Sequence, residues 1–149
     1  FILSRLKMTF HSLLVAQGII MKLKTFAIVT LVVLTMMGCR SSGMIYTVTD
    51  APVVTSTSNY STKEVRNAIL QAGSSLGWQM EDAQPGLIIA TLNVRTHMVQ
   101  VEIPYDRRTY SILYRDSVNM NYNGSSIHNN YTGWVQRLSA AINSRLSML

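Results

Sequence analysis

The chain has 149 residues, with 13 Lys and Arg against 7 Asp and Glu, a formal net charge of +6 and one cysteine. That length suits one domain of ordinary size, and a lone cysteine excludes an internal disulfide. Arg5, Lys7, Lys22 and Lys24 precede Cys39 while every acidic residue follows it, so the nine basic and seven acidic residues from Arg40 onward leave only +2. Without clustered Lys and Arg on one face, no nucleic-acid partner is expected.

The first informative segment in chain order runs from Met21 to Cys39. Lys22 and Lys24 would hold its start on the cytoplasmic side, and Phe26 to Met37 is an apolar run short of the roughly 20 residues a membrane span needs. Gly38 is the small residue before Cys39, and Met36 stands where Leu is usual. The pattern resembles the lipobox of bacterial lipoproteins. The resemblance implies a signal peptide over residues 21–38 and lipidation of the Cys39 thiol. Residues 1–20 then read as a non-native upstream extension, and residues 39–44 as a lipidated Ser/Gly tether. Arg40, in place of Asp after the cysteine, implies transfer to the outer membrane, with the domain in the periplasm.

Residues 45–149 read as a single α+β domain. A first strand is expected from Met44 or Ile45 to about Val48, with Asp50-Ala51-Pro52 as a bend. Ser61-Thr62-Lys63-Glu64 is a capping-box pattern ahead of Val65, Ala68, Ile69, Ala72 and Leu76, which predicts a helix from Thr62 to Leu76 that stops at Gly77.

Strands are then expected over Trp78–Ala83, Leu87–Arg95, Met98–Tyr105 and Thr109–Tyr122, with a turn at Gln84-Pro85-Gly86. In the last of these, Tyr110, Ile112, Tyr114, Val118 and Met120 share a parity, and Asp116-Ser117 marks a bulge or a break between two short strands. Asn123-Gly124 is read as ending the sheet, with no strand after it. Tyr131, Trp134, Val135, Leu138, Ala141, Ile142 and Leu146 then recur at helical spacing from Asn129 or Asn130 to Leu146.

The order β-α-β-β-β-(β)-α predicts an antiparallel sheet of four to five strands with two helices packed on one face, a helix-grip-like architecture. The other sheet face would carry Thr91, Asn93, Arg95, Gln100, Glu102, Ser111, Arg115, Ser117, Asn119 and Asn121. The layering is similar to helix-grip domains of lipoproteins that accompany outer-membrane barrel assembly.

The densest polar and aromatic stretch lies at the end of the sheet. It comprises Tyr110-Ser111-Ile112, Tyr114, Asp116-Ser117, Asn119-Met120 and Tyr122, then Ile127-His128, Asn130-Tyr131 and Trp134. This run resembles a family of small uncharacterised bacterial lipoproteins that share D-S-x-N-[LM]-x-Y followed by I-H-x-N-Y-x-x-W. The resemblance covers most of the domain and implies kinship without an activity to carry over.

Read from the residues, Asp116, Ser117, Asn119, Tyr122, His128, Asn130, Tyr131 and Trp134 are structural. The polar ones satisfy backbone groups where the last strand turns into the second helix, and the aromatic ones pack the core edge. A catalytic reading would pair His128 with Asp116 as acid and base. A small-ligand or metal reading would use Arg95, His97, Arg115 and Asn119 on the polar face. His97 and His128 lie far apart in sequence, and no cofactor, metal site or catalytic residue is expected. The favoured expectation is a non-enzymatic envelope module, membrane-bound through lipid on Cys39, that binds an envelope protein or polymer through an open sheet face or edge.

Overall fold

The computed structural model describes residues 42–149, and Ser41–Leu149 is one compact unit. The expected upstream extension, signal peptide and Cys39 lie outside the described residues. The elements are β1 Ser42–Met44, β2 Val48–Pro52, α1 Thr62–Ser75, β3 Gln79–Gln84, β4 Leu87–Val94, β5 His97–Pro104, β6 Thr109–Val118, β7 Ser126–His128 and α2 Asn130–Leu146. Five strands form an antiparallel sheet in the order β2-β6-β5-β4-β3, and β1 pairs with β7 in a separate two-stranded sheet. Among the described residues no helix is long and apolar enough to cross a membrane.

Helix α1 begins where its capping box predicts. The Ser61 Oγ accepts from the Glu64 amide at 3.3 Å, and the Glu64 carboxylate accepts from the Ser61 amide at 2.8 Å. These two reciprocal bonds satisfy donors that the first turn would otherwise leave open. The hydrogen bonds from Ser61 also hold the Glu64 carboxyl below its ordinary range. Gly77 ends the helix at φ 83°, a conformation in which a Cβ would be strained.

Alternation explains the buried sheet face. Ile88, Ala90 and Leu92 of β4, Val99, Val101 and Ile103 of β5, and Tyr110 and Ile112 of β6 point to one side. There they meet Val65, Ala68, Ile69 and Ala72 of α1 and Tyr131, Val135, Leu138, Ile142 and Leu146 of α2. Each large apolar side chain so buried contributes about 1.5–3 kcal/mol before the entropy of ordering is counted. Gly73 lets α1 approach β3 closely, because a Cβ there would collide with the Met80 thioether. Arg66 of α1 forms an ion pair with Asp82 of β3, and its Nε donates to the carboxylate at 2.8 Å. The Tyr110 hydroxyl ties β6 to α2 by donating to Asn143 Oδ1 at 2.8 Å, with Ser139 Oγ at 3.0 Å.

Several expectations are corrected. The single first strand is two strands, and the tether expected to reach Met44 ends sooner because residues 42–44 are already β1. Asp50-Ala51-Pro52 lies inside β2 rather than in a bend. The register slips between Val48 and Ala51, and Asp50 takes φ 48° while its amide donates to Ser111 Oγ at 2.9 Å. The bulge absorbs the bend without leaving the sheet. Asn123-Gly124 is followed by a strand after all, since β7 finds its partner in β1, more than 80 residues away in sequence.

The β6 irregularity sits one residue before the expected Asp116-Ser117. Val101 pairs with Tyr114 and Gln100 with Asp116, which leaves Arg115 as the extra residue. An inserted residue reverses the side-chain alternation beyond it. Ser117 therefore turns toward the helix side, where its hydroxyl meets that of Tyr114 at 3.0 Å. Val118 turns outward and is 47% exposed instead of sharing the core parity of Tyr110. Thr91, Gln100, Glu102 and Arg115 do lie on the face away from the helices. There Gln100 Nε2 donates to Thr91 Oγ1 at 3.0 Å and Arg115 Nη1 pairs with Glu102 at 2.7 Å. Ser111 is on that face but buried, and Arg95, Asn119 and Asn121 leave it for turns in which each has positive φ.

Candidate functional site

One corner of the domain collects most of the polar residues of the sequence motif. It is built from the β4–β5 turn, the segment after β6, and the junction of β7 with α2. Arg95 takes φ 56° in the turn, and His97 opens β5 opposite Val94. The chain leaving β6 passes through Asn119 at φ 57° and Asn121 at φ 51°. Asparagine tolerates the left-handed region better than most residues with a Cβ, yet two such residues around one methionine still carry strain. Met120 between them is 1% exposed and holds the segment in the core.

Hydrogen bonds stitch these pieces together. Asn119 Nδ2 donates to the Thr96 carbonyl at 2.7 Å, and the Asn119 carbonyl lies 2.7 Å from His97 Nδ1. A carbonyl oxygen only accepts, so Nδ1 of His97 carries a proton, which in the neutral ring leaves the lone pair on Nε2. The His128 amide donates to the Met120 carbonyl at 2.8 Å. Nδ1 of His128 accepts from the Asn130 amide at 3.2 Å, at the first turn of α2, which in the neutral ring places the proton on Nε2. The two imidazole rings, 31 residues apart in sequence, stand with centroids 5.7 Å apart and planes 30° from parallel. Far apart in sequence, the two histidines are neighbours in space.

The neighbouring groove, about 610 Å³ and open to solvent, is lined by Tyr114, Arg115, Asp116, Ser117, Asn119, Met120, Asn121 and Tyr122. Tyr114 and Tyr122 contact each other with ring centroids 4.4 Å apart. Tyr114 also meets the edge of Tyr131 at 5.9 Å. Such offset and edge-on pairs contribute about 0.5–1.5 kcal/mol beyond burial. Asp116 caps locally, accepting from the Ser117 amide at 2.7 Å. Among the described residues His128 has no bond to Asp116, so the acid–base pair of the catalytic reading is not assembled. Arg115, a candidate ligand-binding residue, is held by Glu102, and Arg95 is exposed at its turn. Asn130 is the first residue of α2 and exposed, while Trp134 packs half-buried against the core.

Tyr131 is the anomaly of the region. The residue is fully buried, and its hydroxyl has no hydrogen-bond partner among the described residues. Burial pushes that hydroxyl well above the ordinary tyrosine range, with Tyr114 adding to the effect. An unpaired buried hydroxyl costs about 1–3 kcal/mol. Replacing Tyr131 by Phe is therefore expected to raise the melting temperature by about 4 °C for each kcal/mol recovered. A fall on calorimetry would mean that the hydroxyl has a partner in solution, such as a buried water.

Of the motif residues, Asp116 and Asn119 bond backbone groups, Ser117 meets the Tyr114 hydroxyl, Tyr131 is buried, and Tyr122, expected at the core edge, is 43% exposed. What sequence reasoning missed is the His97–His128 contact, because pairing of β7 with β1 and docking of the Asn119 segment on the β4–β5 turn are both long-range events. The nearest signal was the pair of asparagines flanking Met120, a residue type suited to positive φ. No family model, curated protein or solved structure matches the chain.

Proposed function

We propose that this protein is a lipid-anchored component of a bacterial cell envelope that works by binding rather than by catalysis, as a relative of the lipoproteins its motif resembles. The observation that carries the reading is the spacing between anchor and fold. Cys39, with the apolar run and paired lysines ahead of it, stands three residues before β1, and Ser42 is already paired with His128. The three residue steps from Cys39 to Ser42 span at most about 11 Å, so a lipid on Cys39 would hold the β1–β7 corner close to the bilayer. Arg40 favours the outer membrane, with the domain on the periplasmic side.

The groove from Tyr114 to Tyr122 is the surface for an envelope partner. It combines a 43% exposed tyrosine with hydrogen-bonding groups of both kinds and two backbone positions of positive φ. Aromatic residues beside polar groups are the composition that supplies most binding energy at protein interfaces. The small-ligand reading on the polar sheet face has less support, since Arg115 is bonded to Glu102 and Gln100 to Thr91 there.

The anchoring part is tested by Cys39→Ser. Metabolic labelling with palmitate is expected to mark the wild-type chain and leave the variant unlabelled and released from the membrane fraction. Labelling of the variant would refute the anchor. For the binding part, a photocrosslinking residue at position 122 is expected to give a discrete envelope adduct, and a residue placed at exposed position 140 to give none. Equal adducts at both positions would refute the groove.

A further inference from the structure

The His97–His128 pair is the feature that the proposed function does not use. We propose that it is a two-imidazole site for a borderline divalent transition ion, of the class that includes Cu²⁺, Ni²⁺ and Zn²⁺. A metal held about 2.0–2.1 Å from one nitrogen of each ring lies about 3.2 Å from each ring centroid, so two imidazoles on a tetrahedral ion stand about 5.2 Å apart. The rings are 5.7 Å apart. A side-chain rotation closes that difference.

The surroundings of His97 are those of a metal ligand. Its Nδ1–H is held by the Asn119 carbonyl at 2.7 Å, the kind of outer-shell bond that in the neutral ring fixes the tautomer with the lone pair on Nε2. That carbonyl is in turn set by the left-handed backbone of Asn119 and by the bond from its side chain to Thr96. His128 offers its Nε2 once the proton moves to Nδ1, which requires giving up the 3.2 Å bond from the Asn130 amide. At a partly exposed site such a bond is weak, and metal coordination outweighs it.

Among the described residues no group of three His, Cys, Asp or Glu side chains comes together. The remaining coordination positions therefore belong to water or to a donor from a bound partner. Imidazole donors favour these ions over Ca²⁺ and Mg²⁺, and the affinity should follow the series in which Cu²⁺ exceeds Ni²⁺ and Zn²⁺. With two protein ligands in place of four, the dissociation constant is on the order of 1–100 µM, roughly the square root of that for a structural zinc site. An ion here would tie the start of β5 to the junction of β7 and α2. The inference does not depend on lipidation of Cys39.

The test is isothermal titration of the metal-free full chain with Zn²⁺, and separately with Cu²⁺, Ca²⁺ and Mg²⁺. Expected are one ion per chain for Zn²⁺ and Cu²⁺, tighter binding of Cu²⁺, and no heat from Ca²⁺ or Mg²⁺. His97→Gln and His128→Gln should each weaken Zn²⁺ binding at least tenfold, while His11→Gln, outside the described residues, should leave it unchanged. Circular dichroism of each variant separates lost ligation from lost folding. In the wild-type chain, ring resonances of both histidines and the Asn130 amide should shift with Zn²⁺, a readout independent of any variant. Absence of Zn²⁺ and Cu²⁺ binding by the wild-type chain up to 1 mM would overturn the proposal, as would unchanged affinity in a folded His97 or His128 variant.

Discussion

Tyr110→Ala is expected to lower the unfolding free energy by about 3–5 kcal/mol, the range for truncating a buried aromatic side chain. Tyr110 is 1% exposed and sits where β6 meets α2, so its loss leaves a cavity between sheet and helix as well as unpaired groups on Ser139 and Asn143. Against a total stability of about 5–15 kcal/mol, such a loss takes much of the reserve of a domain this size. Tyr110→Phe is expected to cost only about 1 kcal/mol, because the ring remains and the exposed Asn143 can turn to water. The two variants separate packing from hydrogen bonding. Urea unfolding with m held constant measures both, and equal losses would show that the hydroxyl, not the ring, joins the layers.

Burial also pushes the Tyr110 hydroxyl above its ordinary range. Its contribution is therefore complete below about pH 10 and declines as the pH rises through the higher folded value.

Met120→Ala carries the second large effect, about 2–4 kcal/mol, with a local consequence that Tyr110 lacks. Met120 is buried between two residues of positive φ, and its carbonyl accepts from the His128 amide. Without the side chain, nothing offsets the strain at Asn119 and Asn121, and the segment can relax out of the corner. Hydrogen exchange is expected to show lost protection at the His128 amide and at β1, with protection in β4 and β5 falling only by the global amount. Unchanged protection at His128 would mean that the β1–β7 pairing, rather than Met120, holds the corner together.

The elements whose signals are local were legible before any coordinates. Ser61 and Glu64 reveal α1 because a capping box satisfies donors within one turn, and Val65 to Ala72 repeat at the spacing that one helix face requires. The alternation in β4 and β5 and the apolar stripe of α2 were equally readable. The misreadings share one cause. β1 and β7 are three residues long, too short to show a period, and exist only because they pair with each other. Likewise Val118 followed the expected parity until Arg115 entered as an extra residue, a matter of register with β5 that β6 alone does not encode.

By itself, then, the sequence determined the layered α+β class, the helix boundaries and the apolar residues of the sheet, since each depends on periodicity and capping between neighbours along the chain. Tertiary structure alone decided that Ser42 pairs with His128, that Tyr131 buries a hydroxyl with no partner among the described residues, and that the rings of His97 and His128 come within 5.7 Å. Those outcomes depend on contacts between segments 30 or more residues apart, whose geometry is set by bulges, left-handed asparagines and the docking of Met120 rather than by any local preference.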